Sequence, residues 1–118
     1  MSKMGHYVEV LTYGIEEDKS DYLIDGNILY KKYYYQNVPV ISVKYLNAPN
    51  DIDVNIFDER IGSVLEKFIA KDKFDIVHVA HPMRMGYAVK IAHSLDLPIV
   101  LTLTDFWLIC PRGIFVTE

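Results

Sequence analysis

The sequence predicts an α/β fold: an open, wound, mostly parallel sheet with flanking helices and an antiparallel ribbon in its first half. Three observations predict it. A strand–helix–strand pattern fills residues 75–103, a second amphipathic helix precedes it, and an Asp-Gly turn signal sits among β-branched and tyrosine residues near the start. The chain has 118 residues with 51% hydrophobic and 24% charged side chains, so one globular domain over residues 1–118 is expected.

In chain order, "YVEVLTY" (residues 7–13) alternates as a strand does, and "EEDKSD" (residues 16–21) is a solvated loop. Asp25-Gly26 predicts a hairpin turn, giving a ribbon followed by a strand at residues 40–45. Residues 55–71 predict a helix that buries Phe57, Ile61, Val64, Leu65 and Phe68. Asn55 is its expected N-cap, Asp58 and Glu59 suit the positive end of its dipole, and Lys71 suits the other end. Gly62 inside that helix runs against the propensity.

"DIVHVAH" (residues 75–81) is a short strand. In residues 84–96, Ala88, Ile91, Ala92 and Leu95 fall on one helical stripe, and Leu97-Pro98 stops the helix. "IVLTL" (residues 99–103) is then a second strand, parallel to the first. Its continuous apolar run predicts cover on both faces.

Net charge is −4, which argues against nucleic acid as a partner. The single cysteine, Cys110, forms no intrachain disulfide and no Cys-x-x-Cys zinc site, which fits a reducing compartment; no metal or other cofactor is expected. No apolar run reaches the roughly 20 residues that span a bilayer, and no secretory h-region opens the chain. A cytoplasmic protein is expected, with contact at a membrane surface left open.

Ligands of open parallel sheets bind beyond the carboxyl ends of the strands. Two strand ends qualify, "HVAHPMRMG" (residues 78–86) and "TLTDFWLICPRG" (residues 102–113). His81 stands at the first tip, where an imidazole can donate, accept or carry a proton; His78 inside the strand reads as a core histidine satisfied by a neighbour. Arg84 and nearby backbone N–H groups suggest an anion site at a helix start, against an ordinary helix end with a surface arginine. No GxGxxG or GxxxxGK[ST] loop occurs, which counts against a flavodoxin-like or other nucleotide-binding domain. Asp105 is placed to bind hydroxyls, to act as a base, or to cap the next turn. Trp107 and Phe106 suit stacking on a sugar or, more commonly, closing the core, and Cys110 lacks the setting of a nucleophile. The Tyr33-Tyr34-Tyr35 run beside Lys31 and Lys32 is compatible with a lipid- or carbohydrate-facing ribbon, and equally with strand residues half packed on the sheet.

"GHYVEVLTYG", "KFDIVHVAH" and "LPIVLTLTDFWLICPRG" resemble, in order and spacing, the amino-terminal domain of group 1 (family 4) retaining glycosyltransferases of the GT-B fold. The resemblance implies a Rossmann-like domain and transfer of a sugar from a nucleotide-diphosphate donor to a sugar or lipid-linked acceptor. It places this chain on the acceptor side, lacking the family's first strand, Gly-rich loop and donor domain, and therefore inactive alone. Taken with the strand-end reading, it makes His81, Thr104, Asp105, Arg84 and Arg112 the expected substrate contacts, and no residue of the chain is given a catalytic role. Many members carry His where Thr104 stands, which removes a proton-carrying role from that position. The alternative is a non-catalytic binding or assembly module. A gap left by the missing strand predicts a homo-oligomer, or direct pairing of "GHYVEV" with "DIVHV".

Overall fold

The computed structural model describes residues 2–15, 18–47, 58–69, 73–82 and 85–104. The chain divides into two compact units, Met1–Ile52 and Asp53–Glu118.

The first unit is a four-stranded sheet in the order β1-β4-β3-β2, with β1 Val10–Tyr13, β2 Leu23–Asp25, β3 Ile28–Tyr35 and β4 Val38–Tyr45. Two tight turns set its register. Asp25 pairs with Ile28 across a two-residue loop, with Gly26 at φ 60°. A positive φ at the first loop position is what a II′ hairpin requires, and glycine adopts it without a Cβ penalty. Tyr35 pairs with Val38 across Gln36 and Asn37, both left-handed at φ 48° and 65°. That is the I′ pattern, made here without glycine. The expected ribbon and strand thus form one antiparallel meander. The strand β1 then adds in parallel to the far side of β4, Val10 against Val40 through Tyr13 against Val43.

The interior of this sheet follows β4. Val40, Ile41, Val43 and Tyr45 are buried, together with Ile28 and Leu29 from β3. The polar members of the same strand are partnered. Ser42 Oγ lies 3.0 Å from Tyr22 Oη, and Lys44 Nζ donates to the Asp18 carbonyl at 3.2 Å. Lys44 Nζ also sits 4.2 Å from the Tyr22 ring centroid, and Lys31 Nζ sits 4.8 Å from it. One tyrosine ring thereby faces two cations on this side of the sheet.

In the second unit, α1 (Gly62–Phe68) follows a 3-10 turn, Glu59–Ile61. Asp58 is the cap of that turn; the expected cap Asn55, with Phe57 and Lys71, lies outside the described residues. Asp58 Oδ1 accepts from Arg60 N at 3.0 Å and from Arg60 Nε at 2.8 Å, and Oδ2 accepts from Arg60 Nη2 at 2.7 Å. This buried carboxylate is therefore matched by a bidentate guanidinium. Ile61, Val64, Leu65 and Phe68 are buried as the helical stripe predicts. Gly62 is the first helical residue rather than a mid-helix one, and a Cβ there would stand 2.6 Å from a Tyr87 ring carbon. The glycine makes room for the tyrosine of α2.

The strands β5 (Val77–Val79) and β6 (Ile99–Leu101) pair in parallel, joined by α2 (Tyr87–Ser94). The expected strand–helix–strand unit is present, with shorter elements. Ala88, Ile91 and Ala92 are buried on α2. Its end is a Schellman motif: Leu97 N donates to Ala92 O at 2.9 Å and Asp96 N to His93 O at 3.1 Å, with Asp96 left-handed at φ 55°. Leu97-Pro98 therefore follows the stop rather than making it.

Two expectations about the sheet change. Among the described residues the strands form two sheets rather than one mostly parallel sheet, and the four-stranded sheet is mainly antiparallel. The cause is the meander, since two-residue turns allow only antiparallel neighbours. The strand β6 is also not covered on both faces: Val100 is 45% exposed and Leu101 37%. Its main described neighbours are β5 and α2.

Two glycine substitutions should move stability in opposite senses. Gly62→Ala gains roughly 1 kcal/mol of helix propensity but overpacks against Tyr87, at a typical cost of about 1–3 kcal/mol. It is expected to lower the urea-unfolding free energy, and Tyr87→Ala should remove that loss in a double-mutant cycle. Asp96→Gly relieves a left-handed non-glycine residue and should raise stability by about 0.5–1 kcal/mol.

Candidate functional site

The parallel register of β5 on β6 decides which side chains meet at the strand ends. Val77 pairs with Ile99, His78 with Val100 and Val79 with Leu101. The ladder begins with Val77 N donating to Pro98 O at 2.9 Å and runs past β6 with Thr102 N donating to Val79 O, also at 2.9 Å. Thr102 therefore comes just after the last paired residue, on the same side as Val100 by strand alternation. That places its hydroxyl diagonally beside His78, and His78 Nε2 lies 2.7 Å from Thr102 Oγ1.

Beyond the ladder both chains continue, and His81 Nδ1 lies 3.0 Å from Thr104 Oγ1. Two His–Thr pairs thus succeed each other along the two parallel strands, His78–Thr102 starting inside β5 and His81–Thr104 lying past both carboxyl ends. All four residues are exposed. The structure brings together two of the five expected contact residues, His81 and Thr104. The other three, Arg84, Asp105 and Arg112, lie outside the described residues, as do Phe106, Trp107 and Cys110.

A threonine hydroxyl both donates and accepts, so it pairs with either histidine tautomer. When His81 Nδ1 is bare, the hydroxyl donates to it. When Nδ1 carries the proton, the hydroxyl accepts and its own hydrogen turns to another acceptor. The pair is a switchable donor–acceptor unit at a strand tip, suited to ligand hydroxyl groups, which also play both parts.

His78 is satisfied by a neighbour, as expected, but it is exposed rather than in the core. The sequence reading did not foresee its bond to Thr102. The signal was present in the register, since His78 and Thr102 occupy diagonal positions once the two strands align.

The start of α2 is less open to anions than expected. Met85 N and Gly86 N both donate to Pro82 O, at 3.0 and 2.7 Å. Ala88 N and Val89 N donate to Met85 O and Gly86 O. These backbone donors are spent on the turn, and no anion cradle is formed by them. Among the described residues no group of three His, Cys, Asp or Glu side chains could hold a metal ion. No described helix is long and apolar enough to cross a membrane.

The model of Glycosyltransferase Family 4 matches residues 1–113, nearly the whole chain. The chain belongs to glycosyltransferase family 4. Glycosyl transfer is accordingly its function at the level of the family. The family's Rossmann-like expectation is met in part, by a mixed α/β structure whose parallel β5–α2–β6 unit carries the strand-end residues. No curated protein and no solved structure matches the chain significantly.

The two histidines should respond independently to loss of their hydroxyl partners. Thr104→Val is expected to alter the ring nitrogen resonances of His81 in a two-bond proton–nitrogen spectrum and to leave those of His78 in place. Thr102→Val should do the reverse. Joint movement of both rings in either variant would contradict the two-pair geometry.

Proposed function

We propose that this chain is the acceptor-holding half of a glycosyltransferase that moves a sugar from a nucleotide-diphosphate donor to a sugar or lipid-linked acceptor. The observation that carries the reading is the His81–Thr104 pair at the carboxyl ends of two parallel strands, in a chain of this family. In this reading both residues hydrogen-bond acceptor hydroxyls. Arg84, Asp105 and Arg112, which follow the same two strand ends in sequence, complete the contact set, and the arginines suit an anionic group on the substrate. Thr104 orients and does not carry a proton. The donor pyrophosphate is held elsewhere in the complete enzyme, because this chain has no phosphate-cradling glycine loop. The protein works in the cytoplasm, and a lipid-linked acceptor would bring it to a membrane surface.

A second reading, a binding or assembly module on the same fold, is favoured by the strand edges. The strand β1 is the outer member of its sheet, and β5 pairs with β6 alone among the described residues. Such edges present backbone groups to a further strand, including one from a second copy of the chain. Light scattering that gives a dimer or larger species would favour this assembly role.

The first reading predicts that the chain alone leaves a panel of nucleotide-sugars unhydrolysed and untransferred, while acceptor sugars bind. His81→Ala should weaken acceptor binding by roughly tenfold, equivalent to about 1.4 kcal/mol, by calorimetry. Robust sugar transfer by the chain alone would overturn the assignment to the acceptor side.

A further inference from the structure

The tyrosine run of β3 divides between the two faces of the four-stranded sheet. Tyr34 alternates to one side, whereas Tyr33 and Tyr35 share the other, 41% and 64% exposed. On that second face Tyr33 stands opposite Val40 and Tyr35 opposite Val38, and Val40 stands opposite Val10 of β1. Together they bound a concavity of about 480 Å³, within the range of about 300–1,000 Å³ usual for small-molecule sites.

Its parts have distinct chemistry. The three valines make an aliphatic floor. The two rings stand one pleat repeat apart, about 7 Å along the strand. Thr12, Gln36 and Lys3 supply a rim of uncharged and cationic hydrogen-bonding groups. Gln36 is fixed there by the I′ turn, in which it and Asn37 are both left-handed. Lys31 Nζ lies 5.6 Å from the Tyr33 ring centroid, which restrains that ring.

We propose that this concavity is a carbohydrate site, taking a short neutral oligosaccharide whose ring C–H faces lie on Tyr33 and Tyr35. Sugar rings are apolar on their faces and polar on their edges. Two tyrosines over an aliphatic floor match the faces, and the Thr12 hydroxyl and Gln36 amide match the edges. A membrane surface fits less well. The tyrosines are split between two faces, with the exposed Lys32 on the Tyr34 side, and on the Tyr33–Tyr35 side Lys44 is buried and Lys31 lies over Tyr22. The site belongs wholly to the first unit, whereas His81 and Thr104 belong to the second. It goes beyond the acceptor contacts proposed above and does not require them.

The test is saturation-transfer NMR on the full chain with maltotriose, cellotriose and chitotriose, beside anionic phosphatidylglycerol vesicles. At least one trisaccharide should receive saturation through the tyrosine ring protons. Tyr35→Ala, at an exposed position, should weaken it roughly tenfold. Gln36→Gly, which suits a left-handed residue, should weaken it several-fold while leaving the melting curve cooperative. His81→Ala should leave trisaccharide binding by this face unchanged, so failure here is separable from failure of the strand-end reading. Absence of binding by all three sugars, binding indifferent to both first-unit variants, or Tyr35-dependent binding of vesicles alone would each overturn the proposal.

Discussion

The strand-end site depends on a single constraint, the parallel alignment of β5 with β6. The ladder is only three residues long, yet it is extended at both ends by backbone bonds, from Val77 to Pro98 and from Thr102 to Val79. A slip of one residue would turn every side chain of β5 to its other face. His78 would lose Thr102, and the two tips would leave the ladder at different heights. The helix α2 guards against that slip. It crosses between the strands and buries Ala88, Ile91 and Ala92. Its Schellman ending releases the chain at Leu97, two residues before β6 begins. The turn chemistry at Asp96 therefore helps fix where Thr102 and Thr104 arrive.

The first unit has its own organising element. The strand β4 is bonded on both sides, in parallel to β1 and antiparallel to β3, and it contributes the largest share of buried residues. A strand so placed should be apolar throughout, but Ser42 and Lys44 are not. Tyr22 reconciles them with burial by offering a hydroxyl to the one and a ring face to the other. A buried ammonium without such partners would cost several kcal/mol, in order-of-magnitude terms. Position 22 is therefore as much a part of the sheet as the strands are.

Much of this was legible in the sequence. The helical stripes at Val64, Leu65 and Phe68, and at Ala88, Ile91 and Ala92, carry their period openly, and Asp25-Gly26 announces its turn. The Gln36-Asn37 turn was not legible, because glutamine rarely takes a left-handed conformation and the Val38–Val40 segment that follows holds a proline. Without that turn, the meander looked like a ribbon and a separate strand, and the sheet looked mostly parallel. Gly62 was misplaced for a related reason. A propensity argument weighs the glycine against its own helix, while its purpose lies with Tyr87 on another. At the candidate site, His81 and Thr104 were legible as strand tips. Their mutual bond was not, since it depends on a register that no local pattern encodes.

That bond bears on what the strand ends can do. An exposed hydrogen bond contributes little net free energy, at most about 0.5–1.5 kcal/mol. A ligand hydroxyl can therefore replace Thr104 on His81, or bridge the two, at small cost. The exchange is nearly neutral in energy, and its geometry is set by the 3.0 Å contact between the two side chains. Such a pair selects where a hydroxyl sits more than it adds to affinity. The proposed acceptor-side role would call for this behaviour, since a reacting hydroxyl must be presented in one orientation and then released. A threonine at position 104 serves that purpose without adding a titrating group. Any proton chemistry on this wall would rest with His81, and the pairing with Thr104 would set which of its nitrogens faces the acceptor.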